Sequence, residues 1–158
     1  MKAFAELTER EILAVAVFAE EEDSRIYLSF AEDLAERYPE SAKIFEKMAE
    51  EEKDHRHQLL EIYEQRFGPN LPPIRREDVK GFLRRRPIWL TKNLPLDVIR
   101  KEAETMEFQA ERFYIKAAEH TGGRPSRMEI ADFLRGNANG PEHQALLRLI
   151  GGVVKVPF

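Results

Sequence analysis

No cysteine occurs among the 158 residues, which excludes disulfide frameworks, thiolate zinc sites, thiolate-ligated iron–sulfur clusters and cysteine nucleophiles together, and fits a reducing compartment. Any metal ion must be held by Asp, Glu and His. Long hydrophobic runs are also missing: no stretch approaches the ~20 apolar residues needed to span a bilayer, and the amino terminus lacks a basic-then-apolar signal pattern. The expected location is therefore the cytoplasm, or the inner face of a membrane. Excess positive charge is absent as a third feature. With 25 Lys and Arg against 29 Asp and Glu, the net charge of -4 argues against a protein that coats nucleic acid. Glycine and proline, eight and nine in number, are scarce outside residues 68–73, 86–95 and 121–141, so two long stretches run without a helix breaker.

What remains is an all-helical pattern. Residues 1–150 form one domain with a short tail over 151–158, a length that buries about 70% of the unfolded surface. Thr8 and Glu11 are spaced as a capping box before Ile12 and Leu13, which predicts a first helix from there to about Arg37. A second is expected over Ser41 to Phe67, with Ile44, Phe45, Met48, Leu59, Ile62 and Tyr63 on one side and Gly68-Pro69 as its stop. Residues 69–95, with a short helix expected near Glu77 to Leu83, are long for a connection in a compact domain. A helix of some 27 residues is ~40 Å long, so a third helix parallel to the second needs such a return path. That third helix is expected from Pro95 or Asp97 to His120, and a fourth from Pro125 or Ser126, broken near Gly136 to Pro141 and resuming to Ile150. The fold class is thus an all-α four-helix bundle with one long crossover between helices two and three.

Several acidic residues fall on apolar faces. Around Glu20, at helical spacing, lie Leu13, Ala16, Val17, Asp23, Ser24 and Tyr27, while Glu52 is surrounded by Phe45, Met48, Ala49, His55 and Leu59. Glu107 has Ala103, Glu104, Ala110 and Tyr114 around it. Three helices therefore aim a carboxylate inward, where an unpaired charge costs several kcal/mol or forces protonation. A shared cation removes that cost. Glu52 and His55 lie about 60° apart around their helix, so both reach one ion from a single turn. Di-iron carboxylate bundles take one Glu from each of two helices and a Glu-x-x-His from each of the other two, and most of that set is present. The oxygen-rich donor mix suits iron or manganese, and zinc can also occupy it. A one-residue error in helix phase is the alternative, and would turn these acids to solvent beside Glu21, Glu22, Glu50 and Glu51.

An internal repeat supports the inward assignment. Glu20 precedes Ile26-Tyr27 as Glu107 precedes Phe113-Tyr114, and His55 and His143 follow the two glutamates by 35 and 36 residues. In this register the counterpart of Glu52 is Gly140, which leaves the second Glu-x-x-His incomplete and Glu104 or Glu142 as substitutes. His57 and His120 are read as solvent-facing, and Tyr27 and Tyr114 as core aromatics close to the acids, with a phenol that hydrogen-bonds a carboxylate or donates an electron as the alternative.

The text Leu7-Thr-Glu-Arg-Glu-Ile-Leu, Ala19-Glu-Glu-Glu-Asp, Met48-Ala-Glu-Glu-Glu-Lys-Asp-His55, Asp78-Val-Lys-Gly-Phe and Arg85-Arg-Pro-Ile-Trp89 resembles the rubrerythrin-like branch of the ferritin-like superfamily. Within it the resemblance is closest to the amino-terminal domain of the membrane-bound ferritin, or erythrin–vacuolar iron transporter, family, and covers roughly residues 5–120. It implies a ferritin-like bundle whose di-iron centre binds Fe(II) and oxidises it with dioxygen or hydrogen peroxide, in iron homeostasis or oxidative-stress defence, and a homodimer. By position it implies Glu20, Glu52, His55, Glu104 and Glu107 as ligands, with His143 a further candidate, and Glu20, Glu52, His55 and Glu107 as the catalytic set. Two iron ions are expected, or one because Gly140 replaces a bridging glutamate. Members of that family continue into a membrane-embedded transport domain, whereas this sequence ends at Phe158. The alternative function is a non-catalytic dimerising scaffold or metal sensor with a degenerate site.

One segment is basic in an acidic chain. Residues 75–92 carry Arg75, Arg76, Lys80, Arg84, Arg85, Arg86 and Lys92 against Glu77 and Asp78, a local +5. Such a run is usually a solvated face, but with Ile88, Trp89 and Leu90 beside it, contact with a membrane surface or a transporter domain is a second reading. Val15, Phe18 and Phe30 form a second apolar side of helix one, read as a dimer interface or as a broad core face.

Overall fold

The computed structural model describes residues 1–81 and 87–121. Three long helices dominate them: α1 over Glu9–Leu34, α2 over Pro39–Phe67 and α3 over Leu96–Thr121. The expected fourth helix, with Gly140 and His143, lies outside the described residues, as do Arg84, Arg85 and Arg86. None of the described helices is long and apolar enough to cross a membrane.

The capping box opens α1 as the sequence requires. The Glu11 amide donates to Thr8 Oγ1 at 3.1 Å, and the Thr8 amide donates back to Glu11 Oε1 at 3.2 Å. α1 ends three residues short of the expected Arg37, where the chain winds into a turn. Tertiary contacts surround that end: the Asp33 carboxylate accepts the amides of Asn93 and Leu94 at 2.8 and 3.2 Å, and Arg37 donates to the Leu94 carbonyl at 2.9 Å. α2 begins earlier than expected because Pro39 fits the first helical position, where an amide is not needed. Gly68 closes α2 at φ 80°, its amide donating to the Glu64 carbonyl at 3.1 Å.

Two apolar clusters hold the helices together. One joins the start of α1 (Ile12 to Val17) to the far ends of α2 (Leu59, Tyr63) and α3 (Phe113, Tyr114, Ala117). The other joins the end of α1 (Ile26 to Leu34) to the near ends of α2 (Ala42 to Ala49) and α3 (Ile99, Ala103, Met106). Both α2 and α3 therefore run antiparallel to α1, and the chain between them must travel back along the bundle. Val15 and Phe30 are core residues, whereas Phe18 is half-buried beneath the Arg75 guanidinium, 5.1 Å from its ring centre.

The crossover differs from the expected short helix near Glu77 to Leu83. A single 3-10 turn spans Arg76–Asp78, and Val79 is then extended in a parallel bridge with Lys2. The Lys2 amide donates to the Asp78 carbonyl at 3.0 Å and the Lys80 amide to the Lys2 carbonyl at 2.8 Å, so pairing with the amino terminus takes the backbone groups a helix needs. Gly81 then sits at φ 95°, outside helical values. A second 3-10 turn at Ile88–Leu90 lays Ile88 and Trp89 against the core and leaves Leu90 exposed.

Candidate metal centre

The two apolar clusters leave a polar layer between them, where the middle of each helix contributes acids. Glu20 on α1 and Glu52 on α2 are 3% and 5% exposed, so the helix phases are right and neither is a solvated surface charge. Their neighbours Glu21 and Glu50 instead pair with surface bases, Arg25 and Lys53, at 2.6 and 3.3 Å. One turn along α2, His55 brings Nδ1 to 3.8 Å from Glu20 Oε2 and 3.7 Å from Glu52 Oε1. Glu20, Glu52 and His55 each present one donor atom within 4.8 Å of the others.

The electrostatics of this trio favour positive charge between its donors. Glu20 Oε2 is buried without a hydrogen-bond partner, a costly state for a carboxylate oxygen. Glu52 is held well above the ordinary carboxylate range, first by burial and then by the charges of Glu20, Glu107 and Asp23. A proton on Glu52 relieves the crowding, and a divalent cation between the same donors relieves it more fully. Two carboxylate oxygens and an imidazole nitrogen are a donor set for iron, manganese or zinc. The residues present therefore fit a metal ion.

On α3, Glu107 is buried and its Oε1 accepts a 2.6 Å hydrogen bond from the Tyr27 hydroxyl. Burial, with Glu107, Asp23 and Glu52 nearby, pushes the phenol well above its usual range and keeps it protonated as a donor. Tyr27 thus takes the alternative role open to a phenol here, fixing one carboxylate of the layer from another helix. Tyr114 is buried and packs edge-on against Phe113 with ring centres 5.6 Å apart. Glu104 is only half-buried and outside the Glu20, Glu52 and His55 group, and His143 lies beyond the described residues.

His57 is exposed. His120 departs from its solvent-facing reading: Nε2 donates to the Leu7 carbonyl at 2.8 Å and the ring lies edge-on to Phe4. Only the end of α1's lead-in segment meeting the end of α3 creates that bond, and no local pattern announces it.

Sequence reasoning placed Asp23 on the inward face but gave it no role. Asp23 is 4% exposed, and both of its oxygens accept from Arg76, at 3.1 and 3.4 Å. Arg76 also reaches Glu22 at 2.9 Å. Burial alone would weaken the guanidinium's hold on its proton, but Asp23 and Glu22 outweigh it and keep Arg76 firmly charged. Arg76 therefore leaves the basic face that residues 75–92 were expected to present. Spacing within α1 could have flagged Asp23, three residues from Glu20; nothing local flags its partner 53 residues away. Ser24 adds a tie, donating to the Ala49 carbonyl at 2.9 Å and fixing α1 to α2 beside the layer.

Comparison with protein-family models matches the chain to the family described as Rubrerythrin over residues 11–135. Comparisons with curated proteins and with solved structures find no match.

Proposed function

The chain belongs to the rubrerythrin family, and on that premise we propose that it is an iron-binding carboxylate protein that oxidises Fe(II) with dioxygen or hydrogen peroxide. The observation that carries the proposal is the convergence of Glu20, Glu52 and His55, two buried carboxylates and an imidazole from two helices, around an unsatisfied oxygen. Iron held there would supply the electrons for reducing the oxidant. The chain supplies the frame: Glu20 and Glu52 provide negative charge, His55 fixes a nitrogen donor one turn from Glu52, and apolar clusters flank the layer on either side.

Glu107, steadied by Tyr27, faces the same layer from α3 and is the ligand proposed for a second ion, with Glu104 and His143 as further candidates. Manganese or zinc would fill the same donors. The narrower likeness to membrane-bound ferritins, homodimer formation and contact between the 75–92 segment and a membrane surface rest on the sequence motifs, and belong to the same proposal.

Fe(II) oxidation by air or peroxide, followed in the near ultraviolet for wild type, Glu52→Ala and His55→Ala, tests this function. Oxidation is expected in wild type and lost in both folded variants. Equal rates in all three proteins would remove the assigned site.

A further inference from the structure

α1 carries two acids three residues apart on its buried face, Glu20 and Asp23, the same spacing by which α2 offers Glu52 and His55. By helical geometry alone both members of each pair can face one ion. Yet Glu20, Glu52 and His55 form the converging donor group and Asp23 does not join it. The distinguishing contact comes from outside the bundle. Arg76, on the crossover's 3-10 turn, grips Asp23 with two nitrogens on two oxygens, Nη2 to Oδ1 at 3.1 Å and Nη1 to Oδ2 at 3.4 Å. A bidentate fork is the arrangement by which a guanidinium occupies a whole carboxylate. Glu22 Oε2 shares the Nη2 that bonds Asp23, at 2.9 Å, and the Arg76 side chain is only 13% exposed. Asp23 nonetheless stays close enough to add its charge to those acting on Glu52 and Tyr27.

We propose that Arg76 is a positioning residue of the metal centre: a built-in cation that occupies Asp23 and keeps this further carboxylate out of the coordination sphere. The number of acids facing the ion is then set by the crossover as well as by the helices. Ligand charge count is a principal determinant of a site's affinity and metal preference, so the crossover arginine limits how tightly the centre holds its metal. The inference rests on the reading of Glu20, Glu52 and His55 as ligands.

Cobalt(II) is the probe, because its visible bands report coordination directly. It is titrated anaerobically into metal-free wild type, Arg76→Gln, Asp23→Asn and the double variant, each checked for folding by circular dichroism. Wild type and Asp23→Asn should give the same band shape. Arg76→Gln should change the bands and bind about tenfold more tightly as Asp23 joins the ion, and the double variant should return both to wild type. Should Arg76→Gln fail to fold, Arg76→Met answers: a long apolar side chain fills the same space with neither charge nor donors, and the bands should move the same way. Unchanged bands in the folded arginine variant, or altered bands in Asp23→Asn, overturn the inference while leaving the metal centre intact. Wild type that takes up no cobalt overturns the metal reading itself, and the inference with it.

Discussion

Glu52 sits among Glu20, Glu107 and Asp23, and its elevated proton affinity has a consequence for stability. The folded, metal-free protein holds a proton on Glu52 that the unfolded chain releases at ordinary carboxylate values. Folding therefore binds protons in that window, and stability falls as pH rises from about 4.5 towards the raised value, by about 1.4 kcal/mol per pH unit for one full proton. Urea unfolding of metal-free protein at a series of pH values should show that decline, and Glu52→Gln should flatten it. The Tyr27 hydroxyl gives a second prediction. Tyr27→Phe deprives the buried Glu107 of a 2.6 Å donor and should cost about 1–3 kcal/mol in the same assay. Removal of such an outer-shell donor should also weaken metal binding by about 10- to 100-fold. At this scale the inward acids were legible because a 3.6-residue period places Glu20, Glu52 and Glu107 among apolar neighbours. The Asp23–Arg76 grip was not, since a basic run in a proline-rich connection looks the same whether its arginines face water or an acid.

Helices announce their ends through local chemistry where local chemistry decides them. Thr8 opens α1 through a reciprocal pair of hydrogen bonds with Glu11, so Thr8→Ala should cost about 1 kcal/mol and Thr8→Ser very little, measured by denaturant midpoint. Gly68 terminates α2 at φ 80°, and an added Cβ there meets nothing within 4 Å. The expected cost of Gly68→Ala, about 1–3 kcal/mol at φ 80° and ψ -169°, is thus purely conformational. The end of α1 carries no such local signal: Asp33 binds the amides of Asn93 and Leu94, some 60 residues on. The crossover's expected helix failed likewise, displaced by pairing with Lys2 at the other end of the chain.

For the molecule as a whole, a layer of acids divides the apolar interior into two clusters joined by the same three helices. Helix directions followed from the length of the crossover, which makes sense only if α3 runs parallel to α2. A metal ion held by Glu20, Glu52 and His55, as proposed, would link α1 to α2, and its binding and fold stability would then be one equilibrium. At free metal a thousand times the dissociation constant the gain is about 4 kcal/mol. The most direct test is an anaerobic Fe(II) titration of metal-stripped wild type and His55→Ala, counting tight sites per chain. Two tight ions in wild type, with the ion at Glu20, Glu52 and His55 lost in the variant, is the predicted result; no tight site in wild type would contradict the assignment of this layer as a metal centre.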